Sequence, residues 1–339
     1  MGSKVCGANK ELHPTEKVGP LVDSFLKKPL DLFYSTKLGI AFTITIILTD
    51  MANRRDFLKS SSMLLAGGLL GSELLSSCAT PGKKPIGLQL YSLRDDINEK
   101  GILPVLEAVS KMGYVNIETA AYGNGKIYGL APAEFKKACE DLGMKITSAH
   151  LGQAYNKEKE GEIMDWWSKA IEAHAEAGCK YMVQPFMPVN DQTTLDDIKI
   201  YCDYFYTIGL NAAGTNIKFG YHNHNFEFRK IGEEIIYDFM LKNTSKDHVF
   251  FEMDVYWVTK GGYNPVDYLK NYAGRFPVLH IKDEKEIGKS GEIDFAPIFE
   301  AAYAQGMKDW YVEVERYDLP PLESVKVSYD FLNAAPYVK

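Results

Sequence analysis

From Pro85 onward two hydrophobic rhythms alternate along the chain. Short apolar runs fall at Ile86–Arg94, Tyr114–Thr119, Lys145–Leu151, Tyr181–Phe186, Ile217–His224, Val249–Trp257, Val278–Asp283 and Trp310–Glu315, and these predict strands. Longer stretches with apolar residues at helical spacing lie between them, at Leu103–Met112, Pro132–Leu142, Glu162–Ala177, Leu195–Ala213, Glu234–Leu241, Val266–Ala273 and Phe295–Gln305. A last one, Leu322–Leu332, follows the eighth strand. Several helical runs stop at a glycine (Gly113, Gly143, Gly178, Gly306), the residue that most easily ends a helix in a left-handed turn. Strand and helix in eightfold alternation over about 250 residues predict a single (β/α)8 barrel spanning 85–339. A doubly wound open sheet would place a glycine-rich phosphate turn after its first strand. The first strand instead ends Gln89-Leu90-Tyr91-Ser92-Leu93-Arg94.

Composition removes some alternatives. The 339 residues are 46% hydrophobic and 24% charged, ordinary for a soluble domain, and the formal net charge is −7. An acidic balance without a basic stripe argues against nucleic acid as a partner. Cys6, Cys139, Cys179 and Cys202 show neither C-x-x-C spacing nor a disulfide framework, and Cys139 and Cys179 read as small buried hydrophobes.

Active sites of such barrels lie at the carboxyl ends of the strands. Read in order, those ends supply Gln89, Tyr91 and Arg94; Glu118; His150; Gln184; His222, His224 and Glu227; Asp254 and Trp257; His280, Lys282 and Asp283; then Glu313 and Glu315. Strand alternation puts His222 and His224 on one side. Ionisable groups gathered in a mouth need partners or a cation to offset desolvation. The best cation-binding set is His222, Asp254, His280 and Glu313, one from each of strands five to eight, with positions left open for substrate oxygens. Alone, Asp254 fits a capping carboxylate, His280 a satisfied core histidine and Glu313 an exposed strand residue; together they favour a metal. Two imidazoles and two carboxylates suit manganese, zinc, cobalt or iron better than calcium. A cation holding a carbonyl and a neighbouring hydroxyl lowers the cost of removing the proton between them. Glu118 and Glu227 are the candidate base and acid for that step, and Lys282 the candidate partner of an enediolate oxygen. Gln89, His150, Gln184, His224 and Trp257 are the candidate substrate contacts, while Arg94 reads as a loop salt bridge.

The front of the chain differs from the rest. Met51 opens Met-Ala-Asn-Arg-Arg-Asp-Phe-Leu-Lys, an apolar run covers Met63 to Leu75, and Leu75-Ser76-Ser77-Cys78 follows. The paired arginines resemble a twin-arginine export signal, and the last four residues resemble a bacterial lipoprotein cleavage box. The resemblance implies an exported protein, periplasmic or on the outer surface, anchored by a lipid on Cys78, with 51–84 as signal and linker. Residues 1–50 then form an upstream extension, and its apolar run Leu38 to Leu48 is too short to span a bilayer. Met51 is expected to be the true start.

Several stretches carry a further resemblance: Gly87-Leu88-Gln89-Leu90-Tyr91-Ser92-Leu93-Arg94, Gly220-Tyr221-His222-Asn223-His224-Asn225-Phe226-Glu227, Met253-Asp254-Val255-Tyr256-Trp257, Leu279-His280-Ile281-Lys282-Asp283 and Tyr311-Val312-Glu313-Val314-Glu315. In order and spacing they resemble the sugar phosphate isomerase/epimerase group of xylose isomerase-like barrels. The resemblance implies one divalent metal, manganese first and zinc, cobalt or magnesium as alternatives, and proton transfer next to a carbonyl. The ketose 3-epimerases of that group use Glu, Asp, His and Glu as ligands. The last three fall on Asp254, His280 and Glu313, and the first falls near His222, where this chain departs from the pattern; Glu315 competes for the last place. The implied activity is isomerisation or epimerisation of a sugar or keto-sugar. The alternatives are a lyase or dehydratase acting on a 3-keto-glycoside or inosose, and a lipoprotein that binds sugar without turnover.

Overall fold

The computed structural model describes residues 84–339. The upstream segment, the paired arginines and Cys78 lie outside the described residues. Eight parallel strands close into a barrel: β1 (Gly87–Gln89), β2 (Asn116–Thr119), β3 (Lys145–His150), β4 (Tyr181–Gln184), β5 (Lys218–His222), β6 (Val249–Asp254), β7 (Val278–Lys282) and β8 (Asp309–Glu313). Closure comes from β1, which pairs Gly87 with Asn116 of β2 on one side and with Tyr311 of β8 on the other. The outer layer is formed by α1 (Ile102–Met112), α2 (Pro132–Asp141), α3 (Glu160–Ala177), α4 (Leu195–Ala212), α5 (Ile236–Asn243), α6 (Pro265–Asn271), α7 (Phe295–Gln305) and α8 (Pro321–Ala334). The helices α3 and α7 end at Gly178 and Gly306, with φ of +93° and +98°, conformations that carry a steric cost for any residue with a Cβ. No helix among the described residues is long and apolar enough to cross a membrane.

The strands stop earlier than the hydrophobic pattern suggests, and local hydrogen bonds explain where. After Gln89 the chain enters a 3-10 turn (Leu90–Leu93) because the Gln89 side chain accepts the Tyr91 N–H. After Asp254 a short helix (Val255–Lys260) starts because the Asp254 carboxylate accepts the Trp257 N–H at 2.9 Å. A capping carboxylate outweighs the strand preference of a Val-Tyr-Trp-Val run. Strand β5 ends at His222, so His224 is not a strand residue as expected. The helix expected from Glu234 begins at Ile236, since Glu234–Ile235 pairs with Lys230–Ile231 in a small hairpin.

The barrel interior is layered. Alternate residues point inward, and the lowest layer packs Tyr181, Val183, Phe250, Val278 and Tyr311 into an apolar plug. Glycine makes room for the large rings. A Cβ on Gly220 would lie 2.6 Å from the Phe250 ring, and one on Gly87 would lie 2.5 Å from Tyr311. Two residues further along these same strands the inward positions become polar: Gln89, His222, Glu252, His280 and Glu313. The plug is the floor on which the ionisable residues stand.

Gly220→Ala is expected to cost about 1–3 kcal/mol through overpacking against Phe250, read as a lower urea midpoint with an unchanged slope. Gly161, near the start of α3 with open space around it, is the control. Gly161→Ala is expected to be neutral or stabilising by up to about 1 kcal/mol; equal midpoints for the two variants would contradict the layering.

Candidate active site

Above the plug, the inward side chains form two tiers joined by two histidines. In the lower tier His280 Nε2 lies 2.5 Å from Glu118 Oε2, which also accepts Gln89 Nε2 at 2.7 Å. His222 Nδ1 lies 3.3 Å from Glu252 Oε2, and the same oxygen meets His150 Nε2 at 2.5 Å. The opposite nitrogens of the two bridging rings face the upper tier. There His280 Nδ1 lies 3.1 Å from Glu313 Oε2, and His222 Nε2 lies 3.8 Å from Asp254 Oδ2. The Lys282 ammonium joins this tier, 3.1 Å from Glu313, 2.8 Å from Glu315 and 3.8 Å from Asp254. The imidazoles support one another, His150 stacking on His280 with centroids 4.7 Å apart and His222 meeting His280 edge-on at 4.6 Å.

Backbone contacts set the strand ends that carry these groups. Asn223 accepts the Asp254 N–H at 3.1 Å, donates to the Asp254 carbonyl at 3.3 Å and accepts the Tyr237 hydroxyl at 3.1 Å. It ties the end of β5 to the end of β6. With its Oδ1 engaged in capping, Asp254 leaves Oδ2 buried and without a hydrogen-bond partner.

The cluster mixes buried carboxylates with cationic groups. Glu118, Glu252, Asp254 and Glu313 are all buried, and Lys282 is the buried ammonium among them. Burial pushes the Asp254 and Glu252 carboxyls up to about 7, Glu252 further through the neighbouring Glu118. Burial acts in the same direction on Glu313, but Lys282 and His280 overcome it and hold that group well below the usual carboxylate range. Burial lowers the basicity of His222, helped by the neighbouring imidazoles. For His280 burial is outweighed by Glu252, Glu118 and Glu313, which raise it. The same contest keeps Lys282 above its ordinary value, with Glu313, Asp254 and Glu315 prevailing over desolvation.

The cavity over this cluster has a volume of about 360 Å³ and is lined by Tyr91, Ala120, His150, Leu151, Pro185, Phe186, His222, His224, Glu313 and Glu315. A barrel with such a mouth fits what comparison with known proteins finds. Residues 106–335 match the family model for the xylose isomerase-like TIM barrel. The chain belongs to the xylose isomerase-like TIM barrel family. It is similar to a crystal structure from Parabacteroides distasonis described as a sugar phosphate isomerase/epimerase, with 39% identity, a TM-score of 0.71, and 76% of this chain and all of that one covered. An inosose dehydratase from Geobacillus kaustophilus is 24% identical over 211 residues, which is 56% of this chain and 66% of that protein's length. The fold is also shared with a 3-keto-D-glucoside 4-epimerase from E. coli at 22% identity and a TM-score of 0.57, covering 75% of this chain and 100% of that one.

The sequence-derived candidates fall into three groups. His222, Asp254, His280 and Glu313 come together, each offering a donor atom within 4.8 Å of the others. His150 and His224 line the cavity, and Lys282 and Trp257 border the cluster, the ammonium 5.0 Å from the centroid of the Trp257 ring. Four residues are placed elsewhere. Glu118 sits beneath His280, outside the cavity lining, and Gln89 is consumed in holding it. Glu227 turns away from the mouth, hydrogen-bonded to the Tyr221 hydroxyl and, at 2.9 Å, to the His224 N–H. Gln184 alternates out of the interior and donates to the Phe186 carbonyl at 2.9 Å. Glu315 binds Lys282 rather than joining the four donors. Arg94 makes no salt bridge among the described residues; it donates to the Tyr91 and Glu315 carbonyls and to the Tyr317 hydroxyl. Glu252 was missed by the sequence reading, although it lies two residues before Asp254 and therefore on the same inward face.

Two sets of four could hold a cation, and they share His222 and His280: the upper set with Asp254 and Glu313, the lower with His150 and Glu252. Metal bonds of about 2.1 Å put neighbouring ligand atoms about 3.0–3.4 Å apart. The upper His280–Glu313 contact of 3.1 Å suits that spacing, and the His222–Asp254 contact of 3.8 Å is somewhat wider. The lower tier is closed by the 2.5 Å contact between His150 and Glu252, a hydrogen bond with no room for an ion between the atoms. Asp254 Oδ2, buried and without a hydrogen-bond partner, also favours the upper set.

Glu227 offers a pH test separate from the metal. Burial lifts its carboxyl from 4.5 to about 7. Between those values the folded state binds more protons than the unfolded one, so its contribution to stability falls as pH rises from about 4.5 to 7. Glu227→Gln is expected to match the parent near pH 5 and to exceed it by about 1–3 kcal/mol at pH 8, measured by urea unfolding. An equal difference at both pH values would contradict this.

Proposed function

We propose that His222, Asp254, His280 and Glu313 hold one divalent cation, manganese or zinc, and that the protein isomerises or epimerises a sugar or keto-sugar by proton transfer next to a carbonyl. The observation that carries this reading is the convergence of four donor atoms within 4.8 Å under an open mouth, with Asp254 Oδ2 buried and without a hydrogen-bond partner. Bound there, a divalent cation supplies Lewis acidity, lowering the cost of forming an enediolate-type anion from a carbonyl and its neighbouring hydroxyl.

The chain's own residues supply the rest. Glu118 and Glu252 accept from the lower nitrogens of His280 and His222, which fixes both rings with their upper nitrogens turned to the cation. Lys282, kept protonated by Glu313, Asp254 and Glu315, is placed to donate to a substrate oxygen as it gains negative charge. His150 takes over the role first given to Glu118 and Glu227. It lines the cavity, its Nε2 is held by Glu252, and its Nδ1 carries no hydrogen bond among the described residues. An imidazole oriented by a buried carboxylate is a suitable carrier of the transferred proton. The resemblance of the front of the chain to an export signal with a lipid-bearing Cys78 favours a free sugar or glycoside, because an exported protein would meet these rather than phosphorylated sugars.

A second reading, a dehydratase or lyase on an inosose or 3-keto-glycoside, is favoured by the similarity to an inosose dehydratase. It starts from the same proton removal and ends with loss of a β-substituent. A screen of keto-sugars in D₂O with the metal-loaded protein separates the readings. Deuterium incorporation without an eliminated product supports the isomerase or epimerase, and an unsaturated product supports the lyase. His150→Ala is expected to lower the exchange rate by about 10²–10⁴-fold with bound metal unchanged. Absence of exchange with every keto-sugar, alongside undisturbed sugar binding in His222→Ala, would leave a binding protein instead.

A further inference from the structure

Lys282 stands among three carboxylates, and two of them belong to the cation site. Its Nζ lies 3.1 Å from Glu313 Oε2 and 3.8 Å from Asp254 Oδ2. The same two oxygens face the bridging imidazoles, Glu313 Oε2 at 3.1 Å from His280 Nδ1 and Asp254 Oδ2 at 3.8 Å from His222 Nε2. The ammonium is therefore set against the oxygens that a cation there would take. The third carboxylate is not one of the four donors: Glu315 Oε2 lies 2.8 Å from Nζ, the shortest of the three contacts. The Trp257 ring borders the ammonium as well, its centroid 5.0 Å away.

Strand rhythm and cross-strand contacts build this arrangement. Lys282 closes β7 two residues after His280, so both side chains share the inward face. Lys282 and Glu313 are register partners on neighbouring strands. Glu315 lies past the end of β8, but the backbone there is pinned to the turn after β1. Ser92 Oγ accepts the Val314 N–H at 2.9 Å, and Arg94 donates to the Glu315 carbonyl at 3.1 Å. The two sides of Lys282 differ in depth. The Asp254 and Glu313 side chains are 0% and 4% exposed, whereas that of Glu315 is 28% exposed. An ammonium that leaves the inner oxygens for Glu315 moves towards the mouth.

Two cations that share the same oxygens repel each other, the more so where water is excluded. We propose that Lys282 competes with the divalent cation for Asp254 and Glu313, and that Glu315 is the positioning residue that takes the ammonium when the cation is bound. This rests on the reading that His222, Asp254, His280 and Glu313 hold such a cation. The competition weakens cation binding. In return, the displaced ammonium is delivered to the side of the site where a substrate oxygen gaining negative charge can accept from it. Loading of the cation and readiness of Lys282 are thereby linked, and the linkage is reciprocal.

The test is titration of the chelator-treated full chain with manganese chloride, free manganese being read by electron paramagnetic resonance. Lys282→Met keeps an unbranched side chain and drops the charge; it is expected to bind manganese roughly 10- to 100-fold more tightly than the parent. Glu315→Gln is expected to bind it roughly 3- to 30-fold more weakly, because Lys282 then stays on the inner oxygens. In Lys282→Met/Glu315→Gln the effect of Glu315 should vanish, since no ammonium is left for it to hold. A crystal structure of the manganese-loaded parent is expected to show Nζ hydrogen-bonded to Glu315 and no longer to Glu313, which keeps the test decisive should Lys282→Met fail to fold. The same weakening by Glu315→Gln with and without Lys282 would mean that Glu315 acts on the cation directly, and would overturn its positioning role. Equal manganese affinity in the parent and both single variants, or Nζ still on Glu313 beside bound manganese, would overturn the competition and leave the cation site intact. Failure of the parent to bind manganese or zinc would contradict the cation reading itself, and the competition with it.

Discussion

Two imidazoles, each gripped on one nitrogen by a buried carboxylate, set the terms for the rest of this barrel. His280 is held by Glu118 and His222 by Glu252, and both grips are made inside the barrel where water cannot compete. A histidine fixed in this way has its tautomer and ring orientation chosen for it. The nitrogens left over point to Asp254 and Glu313. The upper tier is thus built by the lower one, and the lower one rests on an apolar plug in which Gly87 and Gly220 leave space for Tyr311 and Phe250. Burying four carboxylates costs free energy that Lys282 and the imidazoles of His150 and His280 offset in part. The proposed cation in the upper tier would add to that offset.

Much of this was legible in the sequence because a parallel barrel has a simple grammar. Strand β6 reads Val-Phe-Phe-Glu-Met-Asp, and its period of two already sets Phe250, Glu252 and Asp254 on one face. The positions of Asp254, His280 and Glu313 at strand ends followed from the same rhythm. Glu252 is legible by the same rule, as the inward residue one step below Asp254.

Other placements depended on features that a sequence pattern does not carry. Glu227 is close to His222 in the chain, yet the backbone turns after β5 and sends it to the Tyr221 hydroxyl on the outer side. Glu118 faces inward as expected, but its depth is set by its pairing with Gln89 and His280, a contact between residues 162 positions apart. The early ends of β1 and β6 came from side chains capping their own backbones, which compete with strand propensity at short range.

The central claim is that His222 and His280 turn one nitrogen each to a cation held with Asp254 and Glu313, above a tier that is hydrogen-bonded rather than metallated. X-ray absorption on the protein loaded with one equivalent of zinc tests this most directly. The account predicts a shell with two imidazoles and carboxylate oxygen, unchanged in His150→Ala. A shell with three imidazoles, losing one in His150→Ala, would put the metal in the lower tier and contradict it.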